Sequence, residues 1–596
     1  MTKFFAYNKD AFSLMKTFWK ESYIFIIFWF INAFIPIAIC MISAAIPENG
    51  AYYVIGIGYV TAFQLAYVQI GWTVSIALTY TILQMKFTKA NKVEGQAQGD
   101  LMYATVLITL MYGLLLVPLF VGPTYIYSRF ANNHVNTVVS QQSAYNYIWT
   151  LTGYIFLSPF MSLMIIYIHS YKGHKRSIIA MVGSNTLIVG LSAILTLAPD
   201  TSNNTKALGT GLGMTIGAVV SSFALGLYVL FSTELRYSQF KFNWKEIKFI
   251  SLKTIKQASS ILSIQIFKAI ALIALGIVVT DTMDSVVPMG YQFSRVVWYN
   301  YLYLIPFLAY GVADSMMFFG LRQRIEIKYR QMFLAFITII VTVLLIEIVL
   351  AIGFRWTVEP LCTYYTKNSQ LDWSTIDLDR VNLPFMLGML AQKFGIDQTY
   401  INEILNKIET DPQGTMQLQI FLKTTLVALL SNQGMNGKDL SAFMLYPHAR
   451  AYIFIATYAV FYSTANVINN TSLVMKHRYQ DLKETIMLMI IQAAVISSVV
   501  AMGIKLQSGS VFPYLDAWSF PLFVIGIVSV LYYSLIFAKT ITEIEKEFAG
   551  KAHTYIVLNG NTEIQENDLE PKTIKLNDGS KLILEKSHDL VLETTE

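Results

Sequence analysis

The segment Ala144-Tyr145-Asn146-Tyr147-Ile148 opens one long apolar stretch of this chain, and Ala449-Arg450-Ala451-Tyr452-Ile453 opens another in the second half. A basic residue follows each stretch at a matching distance, Lys172 after the first and His477 after the second. When the chain is cut near residue 245, both parts carry the same order of six apolar segments. The pattern indicates a duplicated, all-α membrane protein.

The composition also indicates a membrane protein. Hydrophobic residues make up 55% of the chain and charged residues 13%, which is more apolar surface than a soluble domain can cover. A spanning helix needs roughly 20 predominantly apolar residues. Twelve segments are long enough, and we predict transmembrane helices at residues 21–45, 52–83, 101–125, 147–169, 177–198, 208–232, 258–280, 286–319, 332–354, 449–474, 485–504 and 514–538.

The loops between these segments alternate in charge. Lysine and arginine are retained on the cytoplasmic side of a membrane. They cluster before the first span and in every second loop, as at residues 172–176, whereas the short intervening loops hold only Arg129, Lys206 and Lys505. We therefore expect a multi-pass protein of a bacterial plasma membrane with both termini in the cytoplasm. The net charge of +6 reflects this loop placement, so no nucleic-acid partner is expected.

The duplication predicts the domain organisation. Six helices is an even number, so both halves enter the membrane from the same side and their pseudo-two-fold axis runs along the membrane normal. Two six-helix bundles would then face each other across a central cleft. The predicted regions are a cytoplasmic N-terminus (1–20), an N-terminal bundle (21–232), a linker (233–257), a C-terminal bundle (258–356 and 447–540), an extracellular insertion (357–446) and a cytoplasmic tail (541–596).

The insertion and the tail carry local signals of their own. In the insertion, Asp397 precedes an apolar helical stripe that ends before Pro412, which predicts two or three amphipathic helices in an external cap. In the tail, Asn559-Gly560 and Asp578-Gly579 separate short β-branched runs, a pattern typical of hairpins. A small β-rich module and a disordered acidic tail both fit this composition.

Two stretches of the first half resemble a known family. Residues 144–185 lead from a helix with a mid-span proline, Pro159, through the glycine-basic turn at residues 171–175 to a helix that bears Asn185. Residues 211–221 form a helix rich in small residues. Both resemble multidrug and toxin extrusion (MATE) transporters, and the resemblance covers residues 15–355 and 447–540. It extends to the wider multidrug/oligosaccharidyl-lipid/polysaccharide flippase superfamily.

The chain departs from that family at the first span. The resemblance implies an aspartate in the first helix that binds the coupling proton or sodium ion. Residues 30–40 contain no carboxylate here, and Asn32 offers only a neutral oxygen. Ion coupling is therefore expected at other residues of this chain.

Four charged residues lie inside predicted spans of the second half. A charge in the bilayer costs about 2.5–3.5 kcal/mol on insertion scales, so such residues are functional candidates. Their depths predict two pairs, Lys268 with Asp314 and Arg295 with Glu347. In one interpretation each cation only neutralises its carboxylate so that the helices insert. In the other, protonation of Asp314 or Glu347 breaks a pair and changes which side of the cleft is closed.

Uncharged polar residues within the spans are candidates for lining the substrate cavity. Each is alternatively a hydrogen-bonding residue between helices. The candidates are Asn32, Gln64, Gln69, Asn185, Gln265, Gln292, Asn300, Asn466 and Asn469.

These features favour a secondary transporter over an enzyme. No G-x-x-x-x-G-K-[ST] loop occurs, and the seven histidines show no metal-ligand spacing, so no catalytic residue, metal or cofactor is predicted. With the resemblance, we expect proton- or sodium-coupled export of organic compounds, cationic ones among them, by alternating access, with membrane lipids as the surroundings. A flippase for a lipid-linked substrate is the alternative, and a membrane scaffold or membrane-embedded enzyme is a third hypothesis.

Overall fold

The computed structural model describes most of the predicted helices. The described residues are 2–47, 50–88, 96–133, 138–198, 203–232, 288–323, 329–366, 449–475 and 513–550, the strand residues of the tail, and residues 244, 245, 248, 251, 252, 399, 402, 403, 406, 486, 487 and 490. The helices are α1 Thr2–Ala44, α2 Gly50–Thr88, α3 Gln96–Asn133, α4 Val138–Lys172, α5 His174–Thr196, α6 Asn203–Ser232, α7 Pro288–Leu304, α8 Phe307–Gln323, α9 Tyr329–Arg355, α10 Val358–Thr366, α11 Ala449–Met475 and α12 Pro513–Gly550.

Eight of the described helices are long and apolar enough to cross a membrane, and the bent pair α7–α8 makes nine when it is counted as one span. The helix α11 has the length of a span, but a row of polar residues that includes Ser463 and Asn466 makes it less apolar. The predicted span 258–280 lies outside the described residues, as does 485–504 apart from three residues. The structure is thus all-α in its membrane part, and the total of twelve spans stays a prediction.

The predicted span 286–319 contains a break between two helices. The helices α7 and α8 meet at Ile305–Pro306 with a bend of 42°. Proline lacks a backbone N–H and disfavours the helical conformation of the residue before it. The break therefore follows from Pro306.

Residues 1–536 form one compact unit, in which α4 packs against α2, α3, α5 and α6. The helices α5 and α6 approach closely where α6 carries glycine, as at Gly217, where a Cβ would lie 2.6 Å from the Cα of Ile188. The helix α8 packs against α1, α9 and α11, and α2 packs against α7. The contact between the first and second halves of the chain, here called the seam, therefore joins α1 and α2 on one side to α7, α8 and α9 on the other.

The start of the predicted extracellular insertion is a short helix that packs on this unit. The helix α10 contacts α1 and α2 and buries Val358, Cys362 and Tyr365. Farther along, the described residues Thr399, Asn402, Glu403 and Asn406 are helical and exposed. The remainder of the predicted cap lies outside the described residues.

Residues 537–596 form a second compact unit. It begins with the end of α12 and contains the strands β1 Tyr555–Ile556, β2 Glu563–Ile564, β3 Thr573–Lys575, β4 Lys581–Leu584 and β5 Leu590–Glu593. The strands β1 and β2 pair antiparallel, and β3, β4 and β5 form an antiparallel sheet in chain order. Both hairpins expected from the Asn-Gly and Asp-Gly turns are present.

Candidate functional site

Asp314 is the point at which α1, α2 and α8 converge. Its carboxylate oxygen Oδ2 accepts a hydrogen bond from the indole Nε1–H of Trp29 at 2.6 Å. The same oxygen accepts a second bond from the indole of Trp72 at 2.7 Å. Because Trp29 lies on α1 and Trp72 on α2, one carboxylate of the second half joins two helices of the first half.

A glycine allows this convergence. At Gly311, one turn before Asp314, a Cβ would lie 2.5 Å from the backbone Cα of Ile26 on α1. The two helices can approach this closely only because Gly311 has no side chain. Because the two helices lie this close, the indole of Trp29 reaches Asp314.

Two aromatic stacks surround the carboxylate. The ring of Phe28 stacks on Trp72 with centroids 3.4 Å apart and planes inclined by 10°. The ring of Tyr310 stacks on Trp29 at 4.7 Å and 29°. Both indoles present their N–H edges to Asp314, so the carboxylate is the group that favours a positively charged ligand.

One carboxylate oxygen of Asp314 has no hydrogen-bond donor among the described residues. The residue is half-buried, and Oδ2 accepts both indole bonds, whereas Oδ1 accepts none from the described residues. The indole N–H is a neutral donor, so these bonds hold the carboxylate without cancelling its charge. Chemically, the site can take up a proton, a metal cation or an organic ammonium group.

Glu347 has a different environment. Its side chain is fully buried on α9, and Oε1 accepts the backbone N–H of Ala309 at 2.8 Å while Oε2 accepts the hydroxyl of Ser463 at 2.7 Å. Ala309 belongs to the first turn of α8, whose N–H groups have no partner within the helix. Glu347 therefore caps the helix that begins after Pro306, where the helix dipole also favours a negative charge.

The predicted ion pairs involve residues that the structure does not describe in full. Lys268 lies outside the described residues, and Arg295 lies on α7 with an undescribed side chain. Among the described side chains, no lysine or arginine pairs with Asp314 or Glu347; their described partners are all neutral donors. Both pairs stay predictions.

Three of the polar candidates bond to their own helix. Asn32, Asn185 and Asn466 each donate to the carbonyl four residues earlier, at 2.8, 2.9 and 3.1 Å. These bonds neither join helices nor show a ligand contact.

Two other candidates join helices. Gln64 accepts the hydroxyl of Tyr147 at 2.7 Å and so links α2 to α4. Asn300 donates to the hydroxyl of Tyr365 at 3.1 Å and so links α7 to α10. They match the alternative interpretation, in which polar residues hold helices together.

The remaining candidates differ among themselves. Asn469 is buried on α11, Gln292 lies on α7 with an undescribed side chain, and Gln265 lies outside the described residues. Gln69 is buried, yet neither atom of its side-chain amide has a hydrogen-bond partner among the described residues. Among the described glutamine and asparagine side chains, it is the one of which both polar atoms are buried without a partner.

Sequence reasoning missed the aromatic partners of Asp314. Trp29, Trp72 and Tyr310 are not among the candidates that the sequence suggests. The available signal was chemical, because a carboxylate within a span needs donors and the tryptophan N–H is a donor compatible with an apolar helix.

Comparisons with known proteins identify the fold. No protein-family model matches the chain, and no curated protein matches its sequence. An inward-facing multidrug resistance MATE family transporter of the MOP superfamily superposes with a TM-score of 0.52 at 10% identity, over 86% of this chain and 96% of that one. An outward-facing transporter of the same description gives 0.53 at 12% identity, over 88% and 96%.

A third solved structure agrees with these two. It is a MOP superfamily transporter from Pyrococcus furiosus whose binding pocket is described as having reverse polarity. Its TM-score is 0.53 at 10% identity, over 89% of this chain and 97% of that one. The chain therefore has the fold of MATE family transporters of the MOP superfamily, and the fold expected from residues 144–185 and 211–221 is confirmed.

Proposed function

We propose that this protein is a secondary active transporter that exports organic cations in exchange for protons or sodium ions. The observation that carries the proposal is the carboxylate of Asp314, which two neutral indoles hold at the seam between the halves of the repeat. The fold supports transport as the class of function, because the structures that share it are described as transporters.

The chemistry of the site favours a cation. An ammonium group at Oδ1 would gain charge attraction, and also a charge-assisted hydrogen bond where it carries an N–H. An anion would be repelled by the same carboxylate. The coupling ion would bind the same oxygen, Oδ1, at a different step of the cycle. Substrate and coupling ion would therefore compete for Asp314.

The position of Asp314 links binding to alternating access. Its hydrogen bonds cross the seam from α8 to α1 and α2, and any motion that separates the halves there must break them. A proton on the carboxylate weakens it as an acceptor, whereas a cation at Oδ1 leaves Oδ2 able to accept both indoles. The two ligands would therefore stabilise different arrangements of the seam, which is the requirement for exchange.

Transport by purified protein in proteoliposomes tests the proposal. We expect efflux of a fluorescent organic cation to respond to an imposed pH or sodium gradient. The Asp314→Asn variant should lower the initial rate by about 10- to 100-fold, which corresponds to the loss of a charge-assisted contact of about 1.5–3 kcal/mol. The matched control is Glu543→Gln, which removes an exposed carboxylate that pairs with Lys539 in the second unit.

Two results would contradict the proposal. Gradient-driven efflux that survives Asp314→Asn would show that this carboxylate is not the cation site. Gradient-independent scrambling of a labelled lipid, without cation efflux, would favour a lipid flippase instead.

A further inference from the structure

The side chain of Gln69 is a buried amide without a partner. Its exposed fraction is 1%, and neither Oε1 nor Nε2 accepts or donates a hydrogen bond within the described residues. An unsatisfied polar group in an apolar interior costs about 1–3 kcal/mol, so such groups are rare in native proteins. We therefore expect the side-chain amide of Gln69 to gain a hydrogen-bond partner when a ligand binds.

The helix periodicity shows which way Gln69 faces. One stripe of α2 contains Gly58, Leu65, Gln69 and Trp72, which follow one another at intervals of seven, four and three residues. At the two ends of this stripe, Gly58 packs against Val296 of α7 and Trp72 donates to Asp314 of α8. Gln69 lies between them and so faces α7 and α8.

The other side of α2 confirms this orientation. Gln64 accepts from Tyr147 of α4, and the hydroxyl of Ser75 donates to the carbonyl of Pro159 on the same helix. Those residues belong to a different stripe, which packs on α4. Gln69 is therefore part of the seam and not of the packing within the first half.

The position along the helix places Gln69 next to the carboxylate. Gln69 precedes Trp72 by three residues, which is about 4.5 Å along α2. The contacts of Gly58 with Val296 and of Trp72 with Asp314 show that α2 runs in the same direction as α7–α8. Gln69 of α2 therefore lies at the same height as Tyr310 of α8, which is one turn before Asp314.

We infer that Gln69 is a specificity residue of the cation site, and that it hydrogen-bonds a hydroxyl or amide group of a substrate whose ammonium group binds Asp314. The inference rests on the proposed function, which it deepens by naming the substrate class. That class is organic ammonium compounds with a hydrogen-bonding group roughly 5 Å, or one helical turn, from the nitrogen. Such a group supplies the partner that the amide of Gln69 lacks.

A matched pair of probes tests the inference. (3-Hydroxypropyl)trimethylammonium and butyltrimethylammonium differ by a hydroxyl in place of a methyl group. Each is measured by its displacement of labelled tetraphenylphosphonium, a cation without hydrogen-bonding groups, from the full-length protein in nanodiscs. Relative to wild type, Gln69→Leu should shift the ratio of the two affinities by about three- to tenfold toward the butyl compound, which is the effect of one neutral hydrogen bond.

Two further variants complete the experiment. Gln69→Met gives a second apolar replacement of similar size and should shift the ratio in the same way. Leu65→Met changes an apolar residue of the same stripe, one turn farther from Trp72, and should leave the ratio at its wild-type value. Without ligand, Gln69→Leu should also raise the melting temperature, because it removes an amide that has no partner.

The outcomes separate the two proposals. If tetraphenylphosphonium binds wild type and loses affinity in Asp314→Asn, but the probe ratio is unchanged in both Gln69 variants, the inference is wrong and the cation site stands. A drop in melting temperature for Gln69→Leu would also overturn the inference, since the amide would then have a partner in the resting protein. If tetraphenylphosphonium fails to bind, or binds Asp314→Asn as tightly as wild type, the proposed function fails and the inference fails with it.

Discussion

Tryptophan suits a carboxylate within a membrane because its side chain is largely apolar and carries one hydrogen-bond donor. At Asp314, two such donors meet a single oxygen, Oδ2. A lysine or arginine in their place would neutralise the carboxylate and would compete with any cationic ligand. The indoles instead lower the cost of burying the charge without cancelling it.

The two indole bonds predict a measurable loss of stability. In Trp72→Phe the ring that stacks on Phe28 is kept and the N–H donor is lost. A hydrogen bond to a charged group contributes about 1.5–3 kcal/mol, so we expect the free energy of unfolding at neutral pH to fall by that amount. Reversible unfolding in mixed detergent micelles measures it.

A double-mutant cycle assigns that loss to the carboxylate. In an Asp314→Asn background, Trp72→Phe should cost less than about 1 kcal/mol because the charged acceptor is gone. Trp149→Phe serves as the control for tryptophan replacement, since Trp149 is 61% exposed on α4. Equal costs in the wild-type and Asp314→Asn backgrounds would mean that the indole does not stabilise the carboxylate.

At the scale of the helix, Glu347 and Pro306 act together. Pro306 ends the regular hydrogen bonding of α7, and the first bond of α8 runs from Tyr310 to the carbonyl of Pro306 at 3.1 Å. The N–H of Ala309 is left for Glu347, which also binds Ser463 of α11. The carboxylate thus fastens the start of α8 to two neighbouring helices.

This arrangement predicts that Glu347 stabilises the fold and does not couple ions. Glu347→Gln replaces one acceptor oxygen by a donor that faces another donor, so the free energy of unfolding should fall by about 1–3 kcal/mol. Gradient-driven efflux per folded molecule should persist. Ser463→Ala should cost about 1 kcal/mol by itself and less when combined with Glu347→Gln. Normal stability together with loss of gradient-driven efflux would instead assign the coupling role to Glu347.

The contact between α1 and α8 predicts an effect of a single methyl group. In Gly311→Ala the new Cβ would lie 2.5 Å from the Cα of Ile26, so the helices must separate and the bond from Trp29 to Asp314 must lengthen. We expect lower thermal stability and weaker cation binding, although alanine favours helix by about 1 kcal/mol over glycine. Gly190→Ala on α5, where a Cβ meets nothing within 4 Å, should be neutral or stabilising. Matching effects of the two substitutions on melting temperature and cation affinity would exclude a close approach at Gly311.

At the scale of the molecule, the sequence predicted the features that depend on a local pattern of residues. Apolar length located the helices, and the Asn559-Gly560 and Asp578-Gly579 turns located both hairpins of the tail. The resemblance at residues 144–185 pointed to the fold that the solved structures share.

The site was less predictable because its contacts join distant parts of the chain. Trp29 and Asp314 are 285 positions apart, and only the packing of α1 on α8 brings them together. Charge alone suggested lysine and arginine as partners of the two carboxylates, whereas the described bonds come from indole, hydroxyl and backbone donors. The hydrogen bond from the backbone of Ala309 to Glu347 could not be predicted, because it depends on the break between α7 and α8 at Pro306.

The predicted topology also has a direct test. The two natural cysteines, Cys40 and Cys362, are fully buried, so the wild-type protein should not react with a membrane-impermeant maleimide. Lys175 and Trp356 are exposed, the latter at 81%, and five predicted spans separate them. Because five is odd, Trp356→Cys should be labelled in intact cells and Lys175→Cys only in inverted vesicles.

The same measurement tests the odd number of crossings between the two positions, to which the predicted span 258–280 contributes one. If that segment did not span, four crossings would remain between the two positions, and Lys175→Cys and Trp356→Cys would react from the same side. Such a result would place the two chain halves in the membrane with opposite polarity. The repeat would then be inverted, and the seam at Asp314 would no longer separate two parallel bundles.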